Sequence, residues 1–397
     1  MKYRYILFLL LGIDALILFF QTTEVSISAA EAELLYGSFS FLQFLIKSSL
    51  YIFGQNDFGL RFVMIALHIS SALLLYKISK NYVHLQRNRL WLVLLFIMLP
   101  GVVSSAIVVN NAGLIIFGLF LYIYISQSYS QKYSLVLLFF LALINYGFLY
   151  LFAGIIIYAL FQNKKQLLIF NMLFMTINIA IYGFDLNGIP RGHFLDTIGV
   201  YSAIFTPIIF LYIIYTLYRK YLTNKLDQLW YISSTALLYS LILSFRQQVA
   251  LEYFAPYLII ALPLSAQTFI SSYRVRLKIF RKRYKFIFTL AFLFLFANFM
   301  VVLFNKELYL FLDNPKKHFA YKMHVAKELA ASLKQKGILC VHTDNDMALR
   351  LKFYGIEKCN QNLLKESSIK ERKNDDVTIS YRNKIIYSAS VTNLNNK

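Results

Sequence analysis

Charge is scarce in this chain. Asp, Glu, Lys and Arg make up 15% of its 397 residues, while 59% are hydrophobic and the mean hydropathy is +0.58. A soluble protein of this length cannot hide that much apolar surface, so the composition argues against that class and for the membrane. Acid is scarcer still, with 19 Asp and Glu against 40 Lys and Arg. The resulting net charge of +21 would suit nucleic acid, but the cations sit in short links between apolar runs. Membrane topology explains them, and nucleic acid is not an expected partner. There are only two cysteines, Cys340 and Cys359, and no clustered histidines, which leaves no zinc site. A phosphate-cradling glycine loop and a nucleophilic serine motif are missing too, against an ATP-driven pump or a membrane protease. No internal repeat or low-complexity segment is visible.

What is present is a series of long apolar runs. The start, MKYRYILFLLLGIDALILFF, has a basic head but no clean small-residue cleavage site, and reads as an uncleaved first span. Expected spans are 5–21, 60–76, 91–109, 112–126, 134–145, 147–162, 167–183, 200–217, 229–245, 253–271 and 286–305. The links alternate in charge. One set holds Lys2 and Arg4, Lys77 to Arg89, Lys132, Lys164 and Lys165, Arg219 to Lys225, and the heavily basic stretch 274–285. The other is neutral or acidic: Glu24 to Glu33, Asn110 and Asn111, Asn145 and Tyr146, Asp185 to Asp196, and Arg246 to Glu252. The excess of Lys and Arg on cytoplasmic links places the first set inside. Parity then splits 134–162 into two short crossings. It also makes 39–53, too short for an ordinary span of about 20 residues, an amphipathic helix on the outer face. The expected fold class is a polytopic α-helical membrane protein of eleven spans, residues 1–305, N-terminus inside, with a small C-terminal α/β domain, 306–397, outside. The stretch 274–285 reads as an anchor to anionic lipid.

In the tail, KMHVAKELAASLKQKG has helical periodicity and stops at Gly337. ILCVHT reads as a buried strand, DMALRLKFYG as a second helix, and VTISY and KIIYSASV as a hairpin about Arg382 and Asn383. Cys340 and Cys359 both fall here. They are either a disulfide or two buried thiols.

Candidate chemistry gathers in the low-charge links. Glu24, Glu31 and Glu33 stand in one loop with no basic residue before Lys47. A carboxylate at a membrane boundary can serve as a base once partial desolvation raises its pKa; the other reading is a solvated acidic loop. Arg61 and Arg246 sit at outer span ends, where a guanidinium grips a lipid phosphate or simply anchors at the interface. Arg191, His193, Asp196 and Tyr253 are further candidates for substrate binding, with Asp185 in the same glycine- and proline-bearing loop as the first three. Asn110 and Asn111 are turn residues or substrate hydrogen-bonders. Asp14, mid-span, is costly there and a functional candidate by default; the other reading is a neutral, hydrogen-bonded Asp facing the bundle, since no obvious cation shares its depth.

The order of parts resembles the GT-C superfamily of membrane glycosyltransferases, which includes bacterial aminoarabinose transferases and the family 39 protein O-mannosyltransferases. AAEAELLYG falls where that family carries an Asp-Glu-Ala-type motif after the first span. FGQNDFGLRF resembles its FG-x-(N/S)-(E/D)-F-x-x-R-(L/F) stretch, and RQQVALEYFAPYLIIALP its late arginine before an aromatic and proline. The resemblance implies an enzyme that moves a sugar from a polyprenyl-phosphate-linked donor to a lipid, glycan or protein acceptor. It would act on the outer face of a bacterial inner membrane, with a divalent metal as an open question. It puts Glu31 on the acidic motif, with Glu24 as substitute base, and Arg61 and Arg246 on the donor phosphate. Two departures stand out: Ala30 replaces the motif's leading Asp, and SFSF around Ser38 replaces a basic-Pro-Pro motif. A flippase for a lipid-linked glycan and a catalytically degenerate relative are the alternatives.

Overall fold

A computed structural model describes residues 2–183, 192–367 and 377–393. Six helices are long and apolar enough to cross a membrane: Lys2–Glu24, Asp57–Asn81, Asn111–Ser128, Lys165–Tyr182, Leu251–Val275 and Lys278–Leu303. The number rises to eight if two bent pairs each count as one span. Gln86–Met98 with Pro100–Ile107 bends by 62°, and Phe194–Phe205 with Pro207–Leu222 by 105°. Each bend falls where a proline, lacking an N–H, opens the second half. The eleven expected spans include shorter helices. Across 134–162 the chain forms Gln131–Ile144 and Leu149–Phe161, separated by an extended Asn145. Both helices pack on Lys165–Tyr182. Residues 39–53 give the helix Phe41–Phe53, which buries Leu42, Gln43, Ile46 and Ser49 and exposes Phe44, Tyr51 and Ile52.

The chain divides into two compact units. The first comprises Met1–Ala15, Met64–Ala106 and Asn110–Phe299. Its helices close by interlocking apolar faces, and Gly154 permits one close approach. A Cβ there would stand 2.8 Å from the Ile232 Cα, so Leu149–Phe161 and Gln228–Ser244 meet backbone to backbone. Within this unit Asp14 is buried and hydrogen-bonded by a partner that the sequence reading did not name. His68 Nε2 lies 2.8 Å from Asp14 Oδ2, both side chains are buried, and the imidazole stacks on Phe96. Asp14 and His68 each lie inside an apolar stretch of their helices, and they satisfy each other.

The second unit comprises Leu16–Val63, Ile107–Val109 and Met300–Lys397. It is therefore larger than the 306–397 tail. Its sheet has four strands in the order β1-β2-β4-β3: β1 Cys340–His342, β2 Glu357–Glu366, β3 Val377–Tyr381 and β4 Lys384–Asn393. β1 and β2 are parallel; the other pairings are antiparallel. Ala326–Gln335 and Asn345–Phe353 lay Leu329, Leu333 and Leu351 on Val341, Ile379 and Tyr387. Gly337 and Gly355 follow the two helices with φ of 74° and 79°, a left-handed conformation costly for side-chain-bearing residues. The β3–β4 turn runs through Arg382, φ 51°. Cys340 and Cys359 form a disulfide between β1 and β2.

Residues 16–63 are stitched into this sheet-bearing unit. The Ser26 N–H donates to Met323 O at 2.8 Å, the Ile27 N–H to Tyr354 OH at 3.0 Å, and Arg350 Nε–H to Ile27 O at 3.0 Å. Asp57 accepts from Tyr354 OH at 2.6 Å and pairs with Lys327 at 2.8 Å. Phe41–Phe53 is anchored by Gln43, whose Nε2 donates to the carbonyls of Leu34, Leu35 and Gly37.

Candidate functional site

The acidic loop is built around its first helical turn. Ser28 caps the helix Ala29–Tyr36, with the capping box closed by Glu31: Ser28 N–H donates to Glu31 Oε2 at 2.8 Å, and Glu31 N–H to Ser28 Oγ at 3.2 Å. Glu31 Oε1 also accepts from Val109 N–H at 2.8 Å. Arg61 completes the arrangement, with Nε 3.3 Å from Glu31 Oε1 and Nη2 3.2 Å from Oε2. Its remaining N–H groups go to the carbonyls of Thr22, at 3.1 Å, of Val25, and of Ser26, at 2.9 Å. A guanidinium has five N–H donors, and all five are used. Arg61 is 0% exposed and Glu31 1%.

The structure thus brings two sequence candidates together, but face to face. A base needs an oxygen that reaches an acceptor's proton, and a phosphate ligand needs an open guanidinium edge. The Glu31 carboxylate and the Arg61 fork have spent theirs on each other and on the loop backbone. The geometry gives both a part in shaping the loop, whereas the expectation gave Glu31 the role of base and Arg61 the donor phosphate. Ala30, where the resemblance expects an Asp, is exposed beside them.

Glu24 is placed differently. Its Oε2 lies 2.9 Å from Lys306 Nζ, and the same ammonium lies 3.7 Å from Glu328 Oε1. The carboxylates are 42% and 44% exposed, so both are open to water. Burial raises the Glu328 pKa above the ordinary carboxylate value, partly opposed by Lys306. A carboxylate with a raised pKa in an ion-paired, half-open cluster is a candidate proton acceptor. Behind it His324 is buried, with Nδ1 3.0 Å from Tyr309 OH. Burial, then the charge of Lys306 and the neighbouring His318, push its pKa down to about 3, so this imidazole is neutral at ordinary pH. Lys306 and Glu328 escaped the sequence reading because they lie hundreds of residues from Glu24. The local signal was a Lys-Glu pair, Lys306 and Glu307, just after the last apolar run.

Glu33 is exposed on the outer side of its short helix, away from the buried pair. Arg246 is exposed after Gln228–Ser244 and belongs to the first unit. Tyr253 is half-buried, and Asn111 Nδ2 donates to its hydroxyl at 3.3 Å. His193 Nδ1 lies 3.3 Å from the exposed Asp196 Oδ2, and the His193 N–H donates to Ser244 O at 2.8 Å. Asp185 and Arg191 lie outside the described residues. Among the described residues no group of three or more His, Cys, Asp or Glu is placed to hold a metal ion. Between Glu24 and Glu328 the position a cation would take is filled by the Lys306 ammonium. No family model matches the chain, and no curated protein matches it.

Proposed function

We propose that this membrane protein is a glycosyltransferase of GT-C type, transferring a sugar from a polyprenyl-phosphate-linked donor to a lipid, glycan or protein acceptor. The observation that carries the reading is the half-open Glu24–Lys306–Glu328 cluster, folded into the same unit as the acidic loop and the FGQNDFGLRF segment. In this scheme Glu24 takes the proton of the acceptor hydroxyl. The acceptor oxygen bonds to the anomeric carbon as the sugar–phosphate bond breaks, and the polyprenyl phosphate leaves with the electron pair. Lys306 holds the Glu24 carboxylate in place, and Glu328 relays the proton to water. Glu31 and Arg61 fix the loop that carries Glu24. The topology that goes with this reading has eleven crossings, the N-terminus in the cytoplasm, and the sheet-bearing unit on the outer face of a bacterial inner membrane.

The test is transfer from a labelled polyprenyl-phosphate sugar by the full chain in proteoliposomes. Glu24→Gln lowers kcat by about 100-fold, the lower end of general-base contributions, with the protein still folded. Full activity in that variant removes Glu24 from the chemistry. A second reading, a transporter for a lipid-linked glycan, is favoured by one observation, the buried Asp14–His68 pair inside apolar helices. It predicts movement of the lipid across vesicles without covalent change, abolished by Asp14→Asn.

A further inference from the structure

The first unit holds a group of polar side chains that the scheme above does not use. Three breaks between helices contribute. Asn110 caps Asn111–Ser128 and sets Asn111 at its start. Asn145 accepts from the Gly147 N–H at 2.7 Å and begins the turn Tyr146–Phe148. Leu251–Ile259 carries Tyr253 in its first turn. Side chains from the three breaks interlock: Asn145 Nδ2 donates to Asn111 Oδ1 at 2.9 Å, and Asn111 Nδ2 to Tyr253 OH at 3.3 Å. Tyr253 meets Tyr146 edge to face with ring centroids 5.8 Å apart. Tyr146 OH lies 3.3 Å from Tyr150 OH, and Tyr150 packs against Tyr239 at 5.5 Å.

This arrangement is built from beneath. Gly147 has no room for a side chain: a Cβ there would stand 2.3 Å from Ile115 Cδ1, 2.9 Å from the Tyr253 ring and 3.1 Å from Asn145 Oδ1. The buried Tyr257 donates its hydroxyl to Gly147 O at 2.6 Å, and Asn178 Nδ2 donates to Asn145 O at 3.1 Å. The layer above is partly open, for Asn111, Asn145, Tyr146, Tyr239 and Tyr253 are all half-buried. Rings and carboxamides held rigidly, with one face wet, have a definite chemistry. Aromatic faces cover the C–H surface of a sugar ring, while amides and phenols exchange hydrogen bonds with its hydroxyls. The interlocked amides and rings are uncharged and the Glu252 carboxylate lies against the Tyr253 hydroxyl, which suits a neutral polyol better than a phosphate, whose grip calls for a guanidinium or ammonium.

We propose that this tyrosine–asparagine surface is a pyranose subsite, taking the ring of an uncharged hexose. It goes beyond the transferase reading and rests on it for a role, though not for binding itself. The test uses the full chain in phosphatidylglycerol nanodiscs, which carry neither sugar nor choline. A panel of methyl hexopyranosides is titrated by saturation-transfer NMR, with tetramethylammonium as the rival ligand. The expected result is saturation of the ring C–H protons of at least one pyranoside. Tyr253→Ala and Tyr146→Ala weaken that affinity about tenfold, the size of one lost aromatic contact with its hydrogen bond. Tyr253→Phe, which keeps the ring and the fold, weakens it by a smaller factor, and Tyr51→Ala in the other unit leaves it unchanged. Three results would overturn the subsite: no saturation on any pyranoside, displacement of the sugar by tetramethylammonium at equal affinity, or the same loss in Tyr51→Ala. Binding without any transfer activity leaves the subsite standing and sinks the transferase. Transfer with affinities unmoved by the tyrosine variants does the reverse.

Discussion

Glu31 and Glu24 stand on either side of one short loop, each ion-paired with a basic side chain, and they have opposite surroundings. Glu31 and Arg61 are sealed from water, with every donor of the guanidinium answered by the carboxylate or by a loop carbonyl. Glu24 and Lys306 are reached by solvent and have a second carboxylate, Glu328, nearby. A buried pair with all its hydrogen bonds made has no capacity left for a substrate, and its removal is felt by the fold. An open pair contributes little to the fold and remains free to exchange partners. Charge type and sequence position do not separate these roles; burial and the completeness of the hydrogen bonds do.

The largest effect follows from breaking the buried pair. Arg61→Met takes from the buried Glu31 carboxylate the cation paired with it, which costs about 3–5 kcal/mol. The expected outcome is loss of the folded second unit, read as a collapse of thermal midpoint or yield. Glu31→Leu with Arg61→Met together should be less damaging than Arg61→Met alone, because no unpaired charge is left behind. If Arg61→Met melts like the wild type, the contrast with Glu24 disappears.

Next comes the disulfide. Cys340 and Cys359 are separated by 19 positions, and a loop of that size gives about 3 kcal/mol in the chain-entropy account. Residues 16–63 and the sheet form one unit, so reduction should speed hydrogen exchange at Ser26 and Ile27 as well as in β1. Faster exchange in the strands alone would detach the loop from the sheet.

A third effect is graded with pH. His324 is held neutral, its folded pKa near 3 against about 6.5 in the unfolded chain. Between those values the unfolded state binds the proton and the folded state does not. Stability is therefore complete above about pH 6.5 and falls as pH drops toward about 3, by at most about 1.4 kcal/mol per pH unit. The facing groups are Lys306 and His318, both of which disfavour the imidazolium, and the Tyr309 hydroxyl. Denaturant midpoints measured at pH 7.5 and pH 5 should separate in the wild type and lie closer in His324→Gln, where His318, also lowered by burial, carries what remains.

Local patterns in the sequence foretold much of this. Apolar run length marked the long helices, glycine marked the ends of Ala326–Gln335 and Asn345–Phe353, and alternation marked the β3–β4 hairpin. β2 went unread because EKCNQNLLKE is polar on both faces, its residues mostly open to water. Without β2 the disulfide had no frame that would bring its halves together. The acidic loop was visible, but its meaning was not. Whether Glu31 is a base or a keystone depends on Val109, Arg61 and three carbonyls, contacts that no periodicity encodes. Asp14 and His68 each broke an apolar run, a signal that could have paired them.

The smallest effect on stability is the most telling about function. Glu24→Gln removes a half-exposed ion pair, whose loss changes stability by no more than about 1 kcal/mol. If Glu24 only decorates the surface, activity follows stability and barely moves. If it is the proton acceptor, kcat falls about 100-fold while the thermal midpoint stays within a few degrees. Lys306→Met separates the two cases further. It takes from Glu328 the cation that opposes the burial-driven rise in its pKa, so that pKa climbs and the acidic limb of the pH–rate profile moves to higher pH. A profile that keeps its position in Lys306→Met, with activity intact in Glu24→Gln, would return both carboxylates to the solvated surface and leave the sealed Glu31–Arg61 pair as the loop's only structured charge.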